Sequence, residues 1–208
     1  LSCREHGVER VVYTSSASVY GNPRHLPISE DDPKHWLSPY AVSKGAGENY
    51  CMAFYELYEV PACVVRYSNV YGPGQRPENP YCGVIAKFFD WARRGEPIRI
   101  HGDGEQTRDF TYIDDAVSAT LAAARSRKAE GRVYNVGTSR EVSINYLGRC
   151  ICDLYGIPFA PQYVDRRDVD NIRRRAVGVE SIRRDLHWTP EFTLERGLKL
   201  TKEWMEQP

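Results

Sequence analysis

The sequence has no surplus of charge: its 28 basic and 28 acidic side chains cancel over 208 residues. Without an excess of either sign there is no long-range attraction to nucleic acid or an anionic membrane, so any phosphate binding has to be local. No apolar run is long enough to span a bilayer and no charged-then-apolar leader opens the chain, which predicts a soluble, cytoplasmic protein. Cys3, Cys51, Cys63, Cys82, Cys150 and Cys152 form no CxxC pair and have no histidine at zinc-finger spacing. They are expected to be reduced and buried, with no metal site. Repeats and low-complexity stretches are absent too. No G-x-G-x-x-G or G-x-x-G-x-x-G turn precedes the first β-rich run, at residues 10–14. The first residue is Leu1 and not Met, which suggests a natural beginning upstream or a trimmed gene model.

What is present suffices for a core. Hydrophobic residues make up 41% of the chain, enough for one domain, or one domain with a small lobe attached. Residues 1–7 read as the last turn of a helix stopped by Gly7, and the strand at 10–14 then ends in the polar stretch 15–18. Helical spacing from 40 to 58, followed by Pro61 and a strand at 62–67, completes a β-α-β unit. A loop over 72–79 leads to a helix at 84–93 and short strands near 98–101 and 108–112. Asp114 and Asp115 look like the N-terminal signals of a helix over 116–124. A strand at 132–136 and helices at 143–155, 179–186 and 194–205 follow. Alternating strands and helices predict an α/β fold, a parallel sheet with helices on both faces.

Tyr40 and Lys44 carry the most chemistry. Four residues apart on a helix, a phenol and an ammonium share one face. A tyrosine, with an ordinary pKa of ~10, becomes a useful base near pH 7 only if its phenolate gains about 4 kcal/mol, which a unit charge at ~4 Å supplies at a dielectric of ~20. Such a pair could take a proton from a sugar hydroxyl while a hydride leaves the same carbon for a nicotinamide. Ser16 ends the preceding strand on the side where open α/β sheets build their sites, and could hold that hydroxyl. Tyr-x-x-x-Lys alone also arises by chance on amphipathic helices. Arg108 could grip a diphosphate through two parallel hydrogen bonds, or it could pair with Asp109 or another carboxylate.

The stretch VYTSSASVYG at 12–21, SPYAVSK at 38–44, RYSNVYGP at 66–73, GDG at 102–104, RDF at 108–110 and YNVG at 134–137 give the chain a family likeness. It resembles the extended short-chain dehydrogenase/reductases, the NAD-dependent epimerase/dehydratases, and within them the UDP-glucose and UDP-N-acetylglucosamine 4-epimerases. The likeness implies the C-terminal portion of a Rossmann-like parallel sheet, formed by residues 1–75 and 105–140, plus a small α/β substrate-binding lobe of 76–104 and 141–208. It implies Ser16, Tyr40 and Lys44 as a catalytic triad that also contacts NAD, with Ser68 beside the nicotinamide. Asn69, Val84, His101, Arg108 and Asp168 fall where the family contacts its nucleotide-diphosphate sugar.

Two absences bear on the reaction. The 4,6-dehydratases of the family carry an Asp-Glu pair before Val-Tyr-Gly, and the decarboxylases a Glu; here Ala17 and Ser18 stand there, and neither shuttles a proton at neutral pH. A 4-epimerase needs no second acid and base, so 4-epimerisation is favoured. The family's Arg-x-Gly-Asp element is also missing: residues 165–175 hold several arginines without the glycine, and these either reach phosphate or form a solvated basic face. Tyr50, Phe54, Leu57 and Tyr58 on the 40–58 helix either pack on the sheet or, as the likeness implies, join a homodimer interface. Lacking the Gly-rich turn, the chain by itself is expected to bind NAD weakly and to associate through an open strand edge. A non-catalytic binding module and a truncated remnant stay open as alternatives.

Overall fold

The computed structural model describes residues 1–79, 83–166 and 172–207. A one-turn helix α1 (Ser2–Glu5) is closed by Gly7 at φ 59, a left-handed conformation that glycine adopts without a Cβ penalty. Strand β1 (Val11–Ser16) follows and runs two residues further than its composition suggests, so that Ser15 and Ser16 belong to the strand end. A 3-10 turn (Ala17–Tyr20) turns the chain away from the sheet. Helix α2 (Pro39–Tyr58) starts as its sequence dictates: the Ser38 side chain accepts from the Ala41 amide, and Pro39 occupies the first turn, where its missing N–H costs nothing.

Strand β2 (Ala62–Tyr67) lies parallel to β1, with Val11 opposite Ala62 and Ser16 opposite Tyr67. After it come β3 (Asn69–Tyr71), α3 (Val84–Arg93), β4 (Arg99–His101), β5 (Thr107–Arg108), β6 (Phe110–Tyr112), α4 (Ile113–Arg125), β7 (Val133–Val136), β8 (Val142–Ser143), α5 (Ile144–Tyr155), β9 (Gln162–Val164), α6 (Glu180–Leu186) and α7 (Leu194–Met205). The main sheet has the order β1-β2-β7, all parallel, with β1 at one edge. The pairs β3-β6 and β4-β9 are parallel as well, and β5-β8 is antiparallel.

The period-two alternation of β2 decides how the helices cover the sheet. Cys63 and Val65 pack with Ala119 and Ala123 of α4, whose small side chains let the helix approach closely. Arg66 points the other way and meets α2. On that face Gly47 of α2 sits against the Tyr13 ring with no room for a Cβ. A separate cluster, centred on Phe88, Phe89, Leu147, Ile151 and Leu198, joins α3, α5 and α7 to Tyr71, Phe110 and Tyr112. Helix α6 packs on the main sheet through Ile182.

Three sequence expectations are corrected here. Cys63 and Cys152 are buried, but Cys3, Cys51 and Cys150 are half-buried, because α1 lies on the surface and the outer sides of α2 and α5 are left partly open; Cys82 lies outside the described residues. Burial pushes the Cys63 thiol up to about 11, which keeps it protonated and inert. Helix α4 begins at Ile113, three residues before the expected start, so Asp114 and Asp115 do stand in its first turn, but neither caps it, and Asp115 is buried and accepts from the Glu191 and Phe192 amides that lead into α7. The strand expected over 108–112 is broken at Asp109 into β5 and β6. Among the described residues no helix is long and apolar enough to cross a membrane, and no group of three or more His, Cys, Asp or Glu side chains is placed to hold a metal ion.

Candidate active site

The site takes shape at the carboxyl ends of β1 and β2. Helix α2 places Tyr40 and Lys44 on the face turned toward β1. The Lys44 ammonium donates to the Thr14 carbonyl at 2.8 Å and stands 5.7 Å from the centre of the Tyr40 ring. Tyr40 is 54% exposed, so its phenol is open to a ligand. Ser16 accepts from the Ser18 amide at 3.1 Å, capping the 3-10 turn. A hydroxyl offers one proton and two lone pairs, so this cap leaves the Ser16 proton available to a substrate oxygen. Ser68 is nearly buried and donates to the Asp109 carbonyl at 2.7 Å, which leaves its hydroxyl to act as an acceptor toward anything beside it.

A cavity of about 600 Å³ holds most of the other candidates: Asn69, Val84, His101 and Arg108 all line it. Lys87, Arg99, Arg166 and Arg173 add positive charge, and no carboxylate is among the described residues that line it. Trp91, Phe88, Ile100, Ile144, Val164 and Ile172 supply the apolar walls. The N-terminus of α3 opens on this space through Gly83 and Val84, and Gly83 brings no capping side chain to its amides. The arrangement suits an anion joined to a flat or apolar group. Of the ambiguous arginines, Arg173 lines the cavity and pairs with Asp103 at 2.7 Å, while Arg174 is tied to Glu141 at 2.5 Å. Asp168 lies outside the described residues.

Arg108 donates to the carbonyls of Thr107 and Ile172 at 2.8 Å each. Asp109 turns away from it. Its carboxylate is enclosed by donors from the Thr138 hydroxyl and the amides of Thr138, Ser139 and Val177. Burial pushes the Asp109 carboxyl up to about 6, against the pull of these four hydrogen bonds. Gly137 fits beside it because a Cβ there would collide with Val177 and the carboxylate.

Asp109→Asn puts an NH2 where two of these donors expect an oxygen, and should lower stability at neutral pH by about 1–3 kcal/mol in denaturant unfolding. The raised carboxyl adds a pH signature. Between about pH 4 and 6 the folded chain keeps a proton that the unfolded chain has released, so the stability tied to this group is complete below pH 4 and declines as pH rises through 6. The gap between wild type and Asp109→Asn should therefore narrow over that window. A gap that widens with pH would count against this assignment.

Beneath the site lies a polar network that sequence patterns did not expose. Glu48, one turn beyond Lys44, is 2% exposed and receives Arg66 in bidentate fashion at 2.9 and 2.8 Å, together with the Ser15 hydroxyl at 2.5 Å. Arg66, 1% exposed, also donates to the Tyr20 hydroxyl and the Glu30 carbonyl. Tyr20 in turn donates to Asn135, whose side chain reaches the Ile28 carbonyl. Burial alone would raise the Glu48 carboxyl, but Arg66, then Ser15 and Lys34, hold it below the ordinary range. The available signal was the spacing of 40, 44 and 48, which sets a third charged or polar group on the face that carries Tyr40 and Lys44.

Residues 2–137 match the NAD dependent epimerase/dehydratase family. The chain is 37% identical over 204 residues to a UDP-glucose 4-epimerase of Mycolicibacterium smegmatis, covering 98% of this chain and 64% of that protein. It is 34% identical to a human dTDP-D-glucose 4,6-dehydratase, over 99% of this chain and 59% of the relative. Its structure superposes on the crystal structure of a Thermotoga maritima UDP-glucose 4-epimerase with UDP-glucose, with a TM-score of 0.93 and 35% identity, covering 98% of this chain and 65% of the other. The chain thus spans between 59% and 65% of the length of these relatives, and the α/β architecture is theirs. A decarboxylase is among the similar proteins as well, so several reactions occur within the likeness.

Proposed function

This chain belongs to the NAD dependent epimerase/dehydratase family, and we propose that it is the catalytic and substrate-binding part of a nucleotide-sugar 4-epimerase. The observation that carries this reading is the turn after Ser16. It consists of Ala17, Ser18, Val19 and Tyr20, with Ala17, Val19 and Tyr20 buried. Burial pushes the Tyr20 phenol up to about 12, against the pull of Arg66, so the turn offers no acid or base near neutral pH. One proton-transferring group, Tyr40, then serves the whole reaction, and 4-epimerisation asks for one.

The side chains present fit the nicotinamide end of NAD: an open phenol and a half-buried ammonium share one helix face beside a strand end. Nothing in this sequence before Val11 supplies the Gly-rich turn that would hold the dinucleotide's pyrophosphate. When bound, NAD supplies the acceptor and later the donor of the C4 hydride. Tyr40 takes the proton of the C4 hydroxyl and returns it to that same oxygen once the keto sugar has turned its other face to the hydride donor. Ser16 donates to the same oxygen, Lys44 keeps positive charge near the phenolate, and Ser68 lies alongside the nicotinamide. Arg108, with Asn69, Val84 and His101, holds the nucleotide diphosphate in the cationic cavity; Asp168 is assigned to the same contact set.

The lobe division belongs to this reading: the α3/α5/α7 cluster supports a substrate lobe of 76–104 and 141–208, while α6 packs across the boundary onto the sheet. So does a cytoplasmic homodimer, supported by Tyr50 and Leu57, 70% and 72% exposed on α2.

The test is product analysis by NMR. UDP-glucose, UDP-N-acetylglucosamine and UDP-glucuronate are incubated with NAD and the chain, both alone and joined to the N-terminal segment of a family member that carries the Gly-rich turn. The 4-epimer should form with the joined protein. A stable 4-keto-6-deoxy or decarboxylated product would replace this assignment with a sister reaction, and sugar-nucleotide binding without turnover would favour a binding module.

A further inference from the structure

We propose that Ser15 and Glu48 are positioning residues that hold the Lys44 ammonium in place. The idea deepens the reading above, since it matters for chemistry only if Lys44 serves Tyr40. Helix α2 meets the end of β1 at two polar points. Lys44 donates to the Thr14 carbonyl at 2.8 Å, and Ser15 donates to Glu48 Oε1 at 2.5 Å. The contacts are one turn apart on the helix and one residue apart on the strand, so together they fix how far α2 sits along β1 and which way it is rotated.

The two contacts differ in stiffness. A lysine reaches its acceptor on a flexible four-carbon stem and loses rotamer freedom when it is held there. The Glu48 carboxylate is different: Arg66 grips both of its oxygens from the central strand β2. Arg66 is itself held by Tyr20 and the Glu30 carbonyl. Glu48 is therefore fixed relative to the sheet, and Ser15 transfers that fixed position to the strand end carrying Thr14 and Ser16. The close Gly47–Tyr13 contact brings the helix tight against the strand on this face. Lys44 meets Thr14 because Glu48 has already set the register.

Lysine ammonium NMR on the chain itself, without NAD or sugar, provides the test. A hydrogen-bonded ammonium exchanges its protons slowly with water and gives a sharp proton–nitrogen signal in the cold; a free one is broadened away. The wild type should show a Lys44 signal, identified by its loss in Lys44→Met. In Ser15→Ala that signal should disappear while the amide spectrum of the rest of the fold is kept, and Ser15→Thr, which restores a hydroxyl, should recover it. Should Ser15→Ala fail to fold, Ser15→Cys keeps the volume with a much weaker donor and should show the same loss. A Lys44 signal that is absent from the wild type, survives in the folded Ala or Cys variant, or is equally lost in a folded Thr variant would overturn the proposal. These readouts involve no turnover, so their failure is separate from failure of the 4-epimerase reading.

Discussion

Glu48→Leu should destabilise the fold by about 3–5 kcal/mol, because it strands the Arg66 guanidinium without a counter-charge. Arg66 is 1% exposed, so water cannot take over the lost contact, and its remaining partners, the Tyr20 hydroxyl and the Glu30 carbonyl, are neutral. Denaturant unfolding by two probes reads the loss. The double variant Glu48→Leu with Arg66→Met removes both charges and should recover most of it, since a buried pair is expensive to break but cheap to replace by apolar groups of similar size. A single variant within 1 kcal/mol of wild type would mean that Arg66 finds solvent. Acid behaviour provides an independent check. A carboxyl held below its ordinary range contributes stability that is complete above ~4.3, the unfolded value, and is lost as pH falls further. Wild type and the double variant should therefore converge in acid.

Tyr40→Phe in the joined protein should lower kcat by about 10²–10⁴-fold, the range typical of a lost general acid–base. Phenylalanine keeps the ring and its place on α2 and removes the hydroxyl that, on the proposed reading, exchanges a proton with the C4 oxygen. The cavity that would bind the nucleotide is lined by α3, β4 and β5 residues and not by Tyr40, so KM should change little. Equal losses in kcat/KM and kcat identify an interaction made in the transition state. An increase in KM with kcat preserved would move Tyr40 from chemistry to binding.

How much of this could be read from the sequence varies by element. Helices α3 and α7 have the limits their periodicity predicts, because local signals coincide there: Gly83 and Gly95 bracket one, and the Thr193 hydroxyl caps the other. Strand β2 was equally legible, as a β-rich run placed directly after Pro61. Strand β3 falls in residues 68–71, to which the sequence reading assigns no element, and β5 and β8 have two residues each; such pieces exist through tertiary pairing and leave no periodic trace. Asp115 shows the same limit at one residue. An acid at the start of an amphipathic stretch looks like a cap, but distant amides at Glu191 and Phe192 claim it. The polar network was illegible for a related reason: Glu48 looks like any surface acid on a helix until Arg66 is known to face it. The grouping of Asn69, Val84, His101 and Arg108 in one cavity joins four segments, and it was available beforehand only through family resemblance.

The break at Asp109 sorts three successive side chains into three different surroundings. Arg108 lines the cavity, Asp109 ties the Thr138–Ser139 turn to Val177, and Phe110 enters the core shared by α3, α5 and α7. Neighbours on the chain here are strangers in the molecule. A scan through these positions should therefore report in three separate currencies: ligand affinity at 108, acid–base titration of stability at 109, and packing density at 110. Their effects should combine almost independently, although the residues are joined by consecutive peptide bonds.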